Sequence, residues 1–331
     1  MSLGRVVLAM PAVFAEHMVT TLESLGLGHN VRFHDISMGP LRPETLTPAE
    51  VLVVSGGRIG RQEIAAAPRL RLIQKWGSGT DEVDRVAAAE AGVTVAAVVG
   101  ANAVSVAEHF FALLLALSRR ILDGALGTRH AEWRQSQLIQ AGITDLSGSV
   151  LGIIGFGAIG REIASRALSF GMEVLYNRRS GPDVSEVRRR ISYASLSALA
   201  AASDVICVAA ALNPSSSGLV DRRFLSVVKE GALLVNVARG GLINEEAIVD
   251  ALESGQLGGF AADVLRVEPF VSSRLSEHPG VILTPHVAGR SKGAMREMSR
   301  RSAANVARAL NGHTRDIDGI LFFDDSRRSH G

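Results

Sequence analysis

The sequence predicts an α/β protein with two domains, and three observations support this prediction. The chain has 331 residues, more than the roughly 100 to 200 that one domain usually contains. Short apolar runs rich in β-branched residues alternate with helical patterns along nearly the whole length, an order typical of parallel sheets flanked by helices. The composition, with 47% hydrophobic and 21% charged residues, is that of a globular protein and excludes disordered and fibrous chains.

The first third of the chain contains the apolar runs that predict the strands of one sheet. These runs cover residues 6–9, 31–34, 51–54, 70–75 and 93–97. Helical patterns predict helices at 13–24, 62–66 and 81–91. The alternation predicts a flavodoxin-like α/β layout with parallel strands.

A second series of strands begins at residue 150. It follows a long apolar helix predicted over 103–120 and a polar stretch over 124–148. The six predicted strands cover 150–154, 173–176, 205–209, 233–237, 259–263 and 281–284, and a last helix covers 292–311. Six strands of this kind predict a doubly wound parallel sheet that binds a nucleotide.

Charge and hydropathy exclude several kinds of partner. The formal net charge is +2, and the 35 basic residues are interspersed among 33 acidic ones, so a nucleic-acid partner is not expected. The longest apolar runs, 110–117 and 205–212, are far shorter than the about 18 residues of a transmembrane helix, so no membrane segment is expected. The single cysteine, Cys207, fits a reducing compartment. We therefore expect a cytoplasmic protein, and we predict no metal site.

A glycine-rich loop follows the first strand of the second series. It lies between that strand and a run of good helix formers, which is the context that gives the G-x-G-x-x-G pattern its meaning. Gly155 permits a tight turn, Gly157 lets the backbone approach a pyrophosphate, and Gly160 lets the helix pack on the strand. The helix N-terminus then holds the phosphate charge. The predicted coenzyme-binding residues of this Rossmann-type loop are Gly155, Phe156, Gly157, Ala158, Ile159 and Gly160. The alternative is a glycine-rich turn without a ligand.

The end of the next predicted strand indicates the coenzyme. It continues into Asn177, Arg178 and Arg179, without the acidic residue that would bind a ribose 2′-hydroxyl. Two guanidinium groups suit a 2′-phosphate instead. The sequence therefore favours NADP(H), with NAD(H) as the second choice. The alternative is that both arginines are solvated turn residues.

Six segments together carry a more specific signal. Their sequences are GSGTD (77–81), NAVSVAEH (102–109), GFGAIG (155–160), NVARGGLI (236–243), DVLRVEP (263–269) and TPHVAG (284–289). With these motifs the chain resembles the D-isomer-specific 2-hydroxyacid dehydrogenase family over nearly its whole length. The resemblance implies a substrate domain formed by residues 1–100 and 290–331, a dinucleotide-binding Rossmann domain at 101–289 inserted in it, and a homodimer.

The resemblance also implies a catalytic trio. Arg239 is expected to bind the substrate, His286 to act as acid and base, and Glu268 to be the partner of the histidine. Reduction of a 2-oxo acid builds negative charge on the carbonyl oxygen, so a proton donor must lie within hydrogen-bonding reach of it. A carboxylate beside a histidine favours the imidazolium form, and an arginine offers a planar fork of donors to a carboxylate. Taken singly, these residues have structural alternatives: a helix cap, a solvated turn and a buried histidine.

Further site residues follow from the same resemblance. Asp263 is expected to bind the nicotinamide carboxamide, with a strand-end cap as the alternative. The loop of Gly77, Ser78 and Gly79 is expected to offer N–H groups to the substrate carboxylate, with a plain turn as the alternative. Independently of the resemblance, Arg58 follows a Ser-Gly-Gly segment and is a candidate to add positive charge, with a solvated surface role as the alternative. Trp133 is a candidate to reach the pocket of a neighbouring subunit.

The expected function is that of an NAD(P)-dependent 2-hydroxyacid dehydrogenase, an oxidoreductase acting on CH–OH groups. We expect it to reduce a small 2-oxo acid of the glyoxylate/hydroxypyruvate class to the D-2-hydroxy acid. One alternative is a phosphoglycerate dehydrogenase-type enzyme. The other is a dinucleotide-sensing binding protein similar to the C-terminal-binding-protein corepressors. We expect no long tail for recruiting partners, and this expectation disfavours the second alternative. Lys75 and Trp76 precede Gly77 where the family often has an arginine, and this departure bears on the choice of substrate.

Overall fold

The computed structural model describes residues 5–183, 190–270 and 272–322. The chain divides into two compact units. Unit 1 consists of Met1–Asn102 and Arg290–Gly331, and unit 2 consists of Ala103–Gly289. None of the helices in the described ranges combines the length and the hydrophobicity of a transmembrane segment.

Strands and helices alternate in both units. The strands of the described residues are β1 (Val6–Met10), β2 (Val31–Asp35), β3 (Val51–Val54), β4 (Leu72–Lys75), β5 (Thr94–Ala97), β6 (Val150–Ile154), β7 (Glu173–Asn177), β8 (Ile191–Tyr193), β9 (Val205–Val208), β10 (Ala232–Asn236), β11 (Leu257–Ala262), β12 (Val281–Leu283) and β13 (Ile320–Phe322). The α-helices are α1 (Ala12–Ser24), α2 (Pro43–Leu46), α3 (Arg61–Ala65), α4 (Arg85–Glu90), α5 (Ala103–Ser118), α6 (Ile121–Arg129), α7 (Gln135–Gln140), α8 (Ala158–Ser169), α9 (Leu196–Ala202), α10 (Arg222–Leu225), α11 (Glu245–Glu253), α12 (Arg274–Glu277) and α13 (Lys292–Leu310).

The sheet of unit 1 has the strand order β13-β5-β4-β3-β1-β2. Strands β1 to β5 are parallel in the order 2-1-3-4-5, which confirms the predicted flavodoxin-like layout. Strands β3, β4 and β5 are buried along their whole length, as expected of a parallel sheet covered on both faces. Strand β13 was not predicted. It is short and antiparallel to β5, so its pairing depends on a partner distant in sequence.

The sheet of unit 2 has the order β12-β11-β10-β9-β6-β7-β8, and all its strands are parallel. Numbered from β6, the order is 3-2-1-4-5-6-7, which confirms the predicted doubly wound Rossmann sheet. The prediction of six strands is wrong within the described residues, because β8 adds a seventh at the edge. Two of the three β8 residues are exposed, so the strand lacks the apolar run by which the others were predicted.

Helix boundaries differ from the predictions where a local feature of the chain begins or ends the helix. Helix α5 ends at Ser118 instead of residue 120, and Arg120 adopts a left-handed backbone conformation (φ 49°). The polar stretch that follows forms α6 and α7. Helix α4 begins at Arg85 instead of residue 81, because the side chain of Asp84 accepts a hydrogen bond from the Ala87 N–H and caps the helix.

Candidate functional site

The strands of unit 2 end in register at one edge of its sheet. Ile154 pairs with Asn177, Asn236 pairs with Ala262, and Ala262 pairs with Leu283. The loops that follow these residues therefore emerge side by side at the carboxyl edge, where open α/β sheets bind ligands. The predicted site residues of unit 2, apart from Asn177 and Trp133, lie in these loops or in the first turn of α8, and Asn177 is the last residue of β7.

The glycine-rich loop has the geometry of a phosphate cradle. Gly155 has φ 99°, and a Cβ there would lie 2.5 Å from backbone atoms of Ala210. A Cβ at Gly160 would lie 2.4 Å from the carbonyl oxygen of Gly155, whereas a Cβ at Gly157 would meet no atom within 4 Å. Gly157 thus faces open space beside the start of α8, whose first N–H groups lack partners within the helix. These residues fit the pyrophosphate of a dinucleotide.

The other loop residues support this cradle. Phe156 is buried, and its ring stacks on that of Tyr176 with 4.0 Å between the centroids. Ala158 and Ile159 form the first turn of α8. The loop is joined to β7 by a hydrogen bond from the Gly155 N–H to the carbonyl oxygen of Asn177, 2.9 Å long.

The end of β7 carries a carboxylate that the sequence analysis missed. Arg178 donates to the Asp183 carboxylate at 2.6 Å and to the carbonyl oxygen of Gly181 at 2.8 Å. Arg161 also contacts Asp183. The expectation that no carboxylate lies at this strand end is therefore wrong. The Gly181-Pro182 turn folds the chain back, and a Gly-Pro pair is a turn signal that could have indicated it.

The two neighbours of Arg178 are placed differently. The side-chain amide of Asn177 donates to the carbonyl oxygen of Ala194 at 2.8 Å, so this amide joins the end of β7 to the segment after β8. Arg179 is exposed. Its guanidinium is accordingly available to an anion that approaches from solvent.

The structure brings His286 and Glu268 into contact. The Nδ1 atom of His286 lies 2.8 Å from Oε2 of Glu268, and the two side chains are 41% and 38% exposed. The other carboxylate oxygen of Glu268 accepts a hydrogen bond from the Leu265 N–H at 2.9 Å. The pair is therefore both fixed in orientation and accessible to a small molecule.

Arg239 lies close enough for its charge to act on Glu268. Burial acts to raise the pKa of Glu268. The hydrogen bonds from His286 and the Leu265 N–H, together with the charges of His286 and Arg239, outweigh this effect and lower that pKa. Glu268 is thus held in its ionised form beside the imidazole.

A buried asparagine and a glycine shape the Arg239 loop, and the sequence analysis singled out neither. Asn236 donates to the carbonyl oxygen of Arg239 at 3.0 Å and accepts from the Ala238 N–H at 3.0 Å. A Cβ at Gly240 would lie 2.0 Å from the carbonyl carbon of Leu265. The loop of Arg239 therefore packs directly against the backbone of the loop that carries Glu268.

Asp263 is buried at the end of β11 and faces the turn that carries His286. Its carboxylate accepts hydrogen bonds from the Val287 N–H at 2.9 Å, the Ala288 N–H at 2.8 Å and the Thr284 hydroxyl at 2.7 Å. Binding of the nicotinamide carboxamide by Asp263 stays a prediction. The observed contacts are those of a residue that holds the turn.

The substrate-loop candidates belong to unit 1, and the trio belongs to unit 2. Gly77 has φ 138°, a conformation that favours glycine, and Gly79 is half-buried. The Ser78 hydroxyl donates to the side chain of Asn102 at 3.1 Å. Arg58 is exposed, as is Trp133 of unit 2, at 78%.

Lys75, which precedes the loop of Gly77 in the chain, forms a partly buried ion pair with Glu82. The ammonium group of Lys75 lies 2.5 Å from Oε1 of Glu82, and the Lys75 side chain is only 7% exposed. The Ile59 N–H donates to the carbonyl oxygen of Glu82 at 3.0 Å. This backbone contact joins the Gly77 loop to the loop that carries Arg58.

Comparisons with known proteins identify a family. The family model described as "D-isomer specific 2-hydroxyacid dehydrogenase, NAD binding domain" matches residues 111–288. The chain is 31% identical over 309 residues to the glycerate dehydrogenase of Methylorubrum extorquens, a match that covers 91% of this chain and 96% of that protein.

Two further relatives are covered by this chain to different extents. The chain is 35% identical over 298 residues to the D-3-phosphoglycerate dehydrogenase of Mycobacterium leprae, covering 88% of this chain and 55% of that protein. It thus spans about half the length of this relative. A crystal structure of a glyoxylate reductase from Paecilomyes thermophila matches with a TM-score of 0.82 and 27% identity, covering 98% of this chain and 99% of that chain.

Proposed function

The chain belongs to the D-isomer specific 2-hydroxyacid dehydrogenase family, and from that premise we propose that it reduces a small 2-oxo acid of the glyoxylate/hydroxypyruvate class to the D-2-hydroxy acid with NADP(H). It is an oxidoreductase that uses a nicotinamide dinucleotide. The observation that carries the proposal is the 2.8 Å contact between His286 and Glu268, with Arg239 beside them.

The bound dinucleotide would supply hydride to C2 of the substrate. Because Nδ1 of His286 faces Glu268, Nε2 is the ring nitrogen that would donate a proton to the carbonyl oxygen. The carboxylate of Glu268 would hold a proton on Nδ1, so that loss of the Nε2 proton to the substrate would leave a neutral imidazole. Arg239 would hold the substrate carboxylate through its planar fork of donors. In the reverse direction, neutral His286 would accept the proton from the hydroxyl group.

The proposed preference for NADP(H) depends on the end of β7. Asn177 brings no charge, and Arg178 and Arg179 bring two guanidinium groups. Asp183 neutralises part of the charge of Arg178, whereas Arg179 is exposed. We propose that these groups bind the 2′-phosphate and that NAD(H) is the weaker coenzyme. The remaining contacts would come from the glycine-rich loop and from Asp263.

The proposed substrate class is supported by the names of the relatives and by charge. Oxidation of glycerate at C2 gives hydroxypyruvate, so a glycerate dehydrogenase and a glyoxylate reductase act on closely similar molecules. A phosphorylated substrate would bring further negative charge that needs cations. In unit 1 the buried ammonium group of Lys75 is already paired with Glu82. We therefore propose an unphosphorylated substrate, bound also by Arg58 and the loop of residues 77–79.

We further propose which ligand each unit binds. Unit 1 would be the substrate domain and unit 2 the coenzyme domain.

We also propose that the chain forms a homodimer. Helix α6 exposes about half of Ile121, Leu122 and Leu126, and Trp133 follows it. Exposed apolar side chains grouped in this way are typical of protein interfaces. They support a homodimer, for which light scattering should give about twice 34.9 kDa.

Turnover assays test the function directly. The purified protein is incubated with glyoxylate, hydroxypyruvate, pyruvate and 3-phosphohydroxypyruvate, each with NADPH and with NADH, and oxidation of the coenzyme is followed by absorbance. We expect the highest kcat/KM with glyoxylate or hydroxypyruvate and NADPH. A higher value with 3-phosphohydroxypyruvate would favour the phosphoglycerate dehydrogenase alternative. Coenzyme binding without turnover of any 2-oxo acid would favour a dinucleotide-sensing protein.

A further inference from the structure

A second histidine, His109, contacts the turn that carries His286. We propose that His109 is a positioning residue, which acts through Thr284 and Asp263 to fix the turn of His286. The proposal rests on the proposed function of His286 as the acid and base.

The contacts place His109 directly behind the turn. Its Nε2 atom lies 2.9 Å from the hydroxyl oxygen of Thr284 and 3.5 Å from Oδ1 of Asp263. Its side chain is 22% exposed, and that of Asp263 only 2%. Ser105, one helical turn earlier on α5, donates to the carbonyl oxygen of Ala288 at 2.6 Å. The same face of α5 therefore contacts the turn at both of its ends.

The number of protons on each group fixes the direction of the hydrogen bonds among His109, Thr284 and Asp263. The Thr284 hydroxyl carries one proton, and the Asp263 carboxylate can only accept. The hydroxyl therefore donates to Asp263 across 2.7 Å. Its oxygen is left to accept from His109, so Nε2 of His109 carries a proton. A neutral imidazole with that tautomer satisfies the contact, and the proposed function of His109 requires no charge.

Asp263 connects Thr284 to the turn that carries His286 through hydrogen bonds to both. Its two carboxylate oxygens accept from the N–H groups of Val287 and Ala288, and its carbonyl oxygen accepts from the His286 N–H at 2.8 Å. His286 has φ 53°, a left-handed conformation that a residue other than glycine rarely adopts. Such a conformation persists only where the surroundings impose it. The hydrogen bonds from α5 through Thr284 and Asp263 are such surroundings.

Loss of the His109 donor should therefore act on catalysis more than on coenzyme binding. With no donor on one side, the Thr284 hydroxyl is free to rotate away from Asp263, and the turn of His286 loosens. A displacement of a reacting group by about 1 Å can lower a rate about 100-fold. We expect a fall in kcat of about 10- to 100-fold, with the Kd for NADPH changed by less than about twofold.

Matched variants test the proposal. His109→Leu removes the donor, whereas His109→Gln keeps an N–H donor near the position of Nε2 but cannot titrate. Thr284→Val and Thr284→Ser form the equivalent pair for the hydroxyl group. Glu108→Gln changes the charge of an exposed neighbour on α5 and is the control. The measurements are kcat and KM, the Kd for NADPH from fluorescence titration, and hydrogen–deuterium exchange of the amides of residues 286–289.

The expected result is that His109→Leu and Thr284→Val lower kcat and accelerate amide exchange in the turn about tenfold. His109→Gln, Thr284→Ser and Glu108→Gln should stay within about threefold of the parent in both measurements. The proposal is overturned if His109→Leu keeps its kcat, if His109→Gln loses as much as His109→Leu, or if the Kd for NADPH rises in parallel. The proposed function itself fails if His286→Ala keeps the kcat of the parent. That result is independent of how fast the amides of residues 286–289 exchange.

Discussion

The imidazole of His286 and the carboxylate of Glu268 meet at 2.8 Å although 18 residues separate them in the chain. Neither residue lies in a strand. Each follows the end of a neighbouring strand, β12 and β11, and the Glu268 carboxylate is held from its other side by the Leu265 N–H. The contact thus depends on parallel register and on a short loop that folds back on itself. This arrangement leads to the first two predictions.

Replacement of His286 by alanine should lower kcat for reduction of the preferred 2-oxo acid by about 10²- to 10⁴-fold, the range typical of general acid–base catalysis. The Kd for NADPH should change little, because the glycine-rich loop and the end of β7 are untouched. Steady-state kinetics and fluorescence titration measure the two quantities. An unchanged kcat would exclude His286 as the proton donor.

Glu268 should make stability depend on pH in the acid range. Burial acts to raise the pKa of Glu268, but hydrogen bonds from His286 and Leu265 and nearby positive charge bring it below its ordinary value of 4.5. A carboxyl whose pKa is lower in the folded state stabilises the fold above the unfolded pKa, and this stabilisation is lost as the pH falls through the folded pKa. Glu268→Gln removes the dependence. Its Tm should therefore fall less than that of the parent when the pH is lowered below about 4.5.

Thermal unfolding between pH 6 and pH 3 measures this difference. Glu108→Gln, which removes an exposed carboxylate on α5, is the control and should follow the parent. Identical slopes for Glu268→Gln and the parent would show that the carboxylate contributes no pH-dependent stability. In assays at neutral pH the same variant should lower kcat, because an uncharged amide replaces the carboxylate that orients the imidazole.

The two parallel α/β layouts and the glycine-rich loop could be predicted from the sequence, because they depend on local periodicity and on glycines whose conformation no other residue adopts as readily. The edge strands β8 and β13 could not, since each is only three residues long. The His109 contact with Thr284 joins residues 175 positions apart. It is produced by the packing of α5 against β11 and β12. Periodicity predicts that α5 is buried, but it does not predict which of its polar side chains faces which loop.

Asp183 shows the same limit at shorter range. The strand-end pattern consists of Asn177, Arg178 and Arg179, and Asp183 lies beyond it in the chain. The turn brings its carboxylate back to Arg178. A carboxylate at a strand end therefore does not have to come from the strand itself, and the charge available to a coenzyme depends on the path of the loop.

Asp183→Asn should improve the use of NADPH. Without the carboxylate, the charge of Arg178 is no longer neutralised within its own turn and can act on a 2′-phosphate. Exposed or half-exposed ion pairs contribute about 0.2–1 kcal/mol, so the KM for NADPH should fall by up to about fivefold, and the KM for NADH should change less. Glu173→Gln, at the opposite end of β7, is the control. An equal change for both coenzymes would exclude Arg178 as a ligand of the 2′-phosphate.

Gly240→Ala should separate the loops of Arg239 and Glu268. A Cβ at Gly240 would lie 2.0 Å from the carbonyl carbon of Leu265 and 2.3 Å from the backbone nitrogen of Arg266, so backbone has to move. Such overpacking costs about 1–3 kcal/mol. We expect a lower Tm and a kcat/KM for the 2-oxo acid reduced by at least about tenfold, because Arg239 is displaced from the other two residues of the trio.

The adjacent Gly241 supplies a matched control for this prediction. A Cβ there would lie 3.1 Å from a terminal methyl group of Leu212, a flexible side chain that can shift. Gly241→Ala should therefore keep both Tm and kcat/KM close to those of the parent. Since the two substitutions are chemically identical and adjacent in the chain, a difference between them isolates the contact with Leu265. Equal and small effects would show that the two loops do not need their close packing for activity.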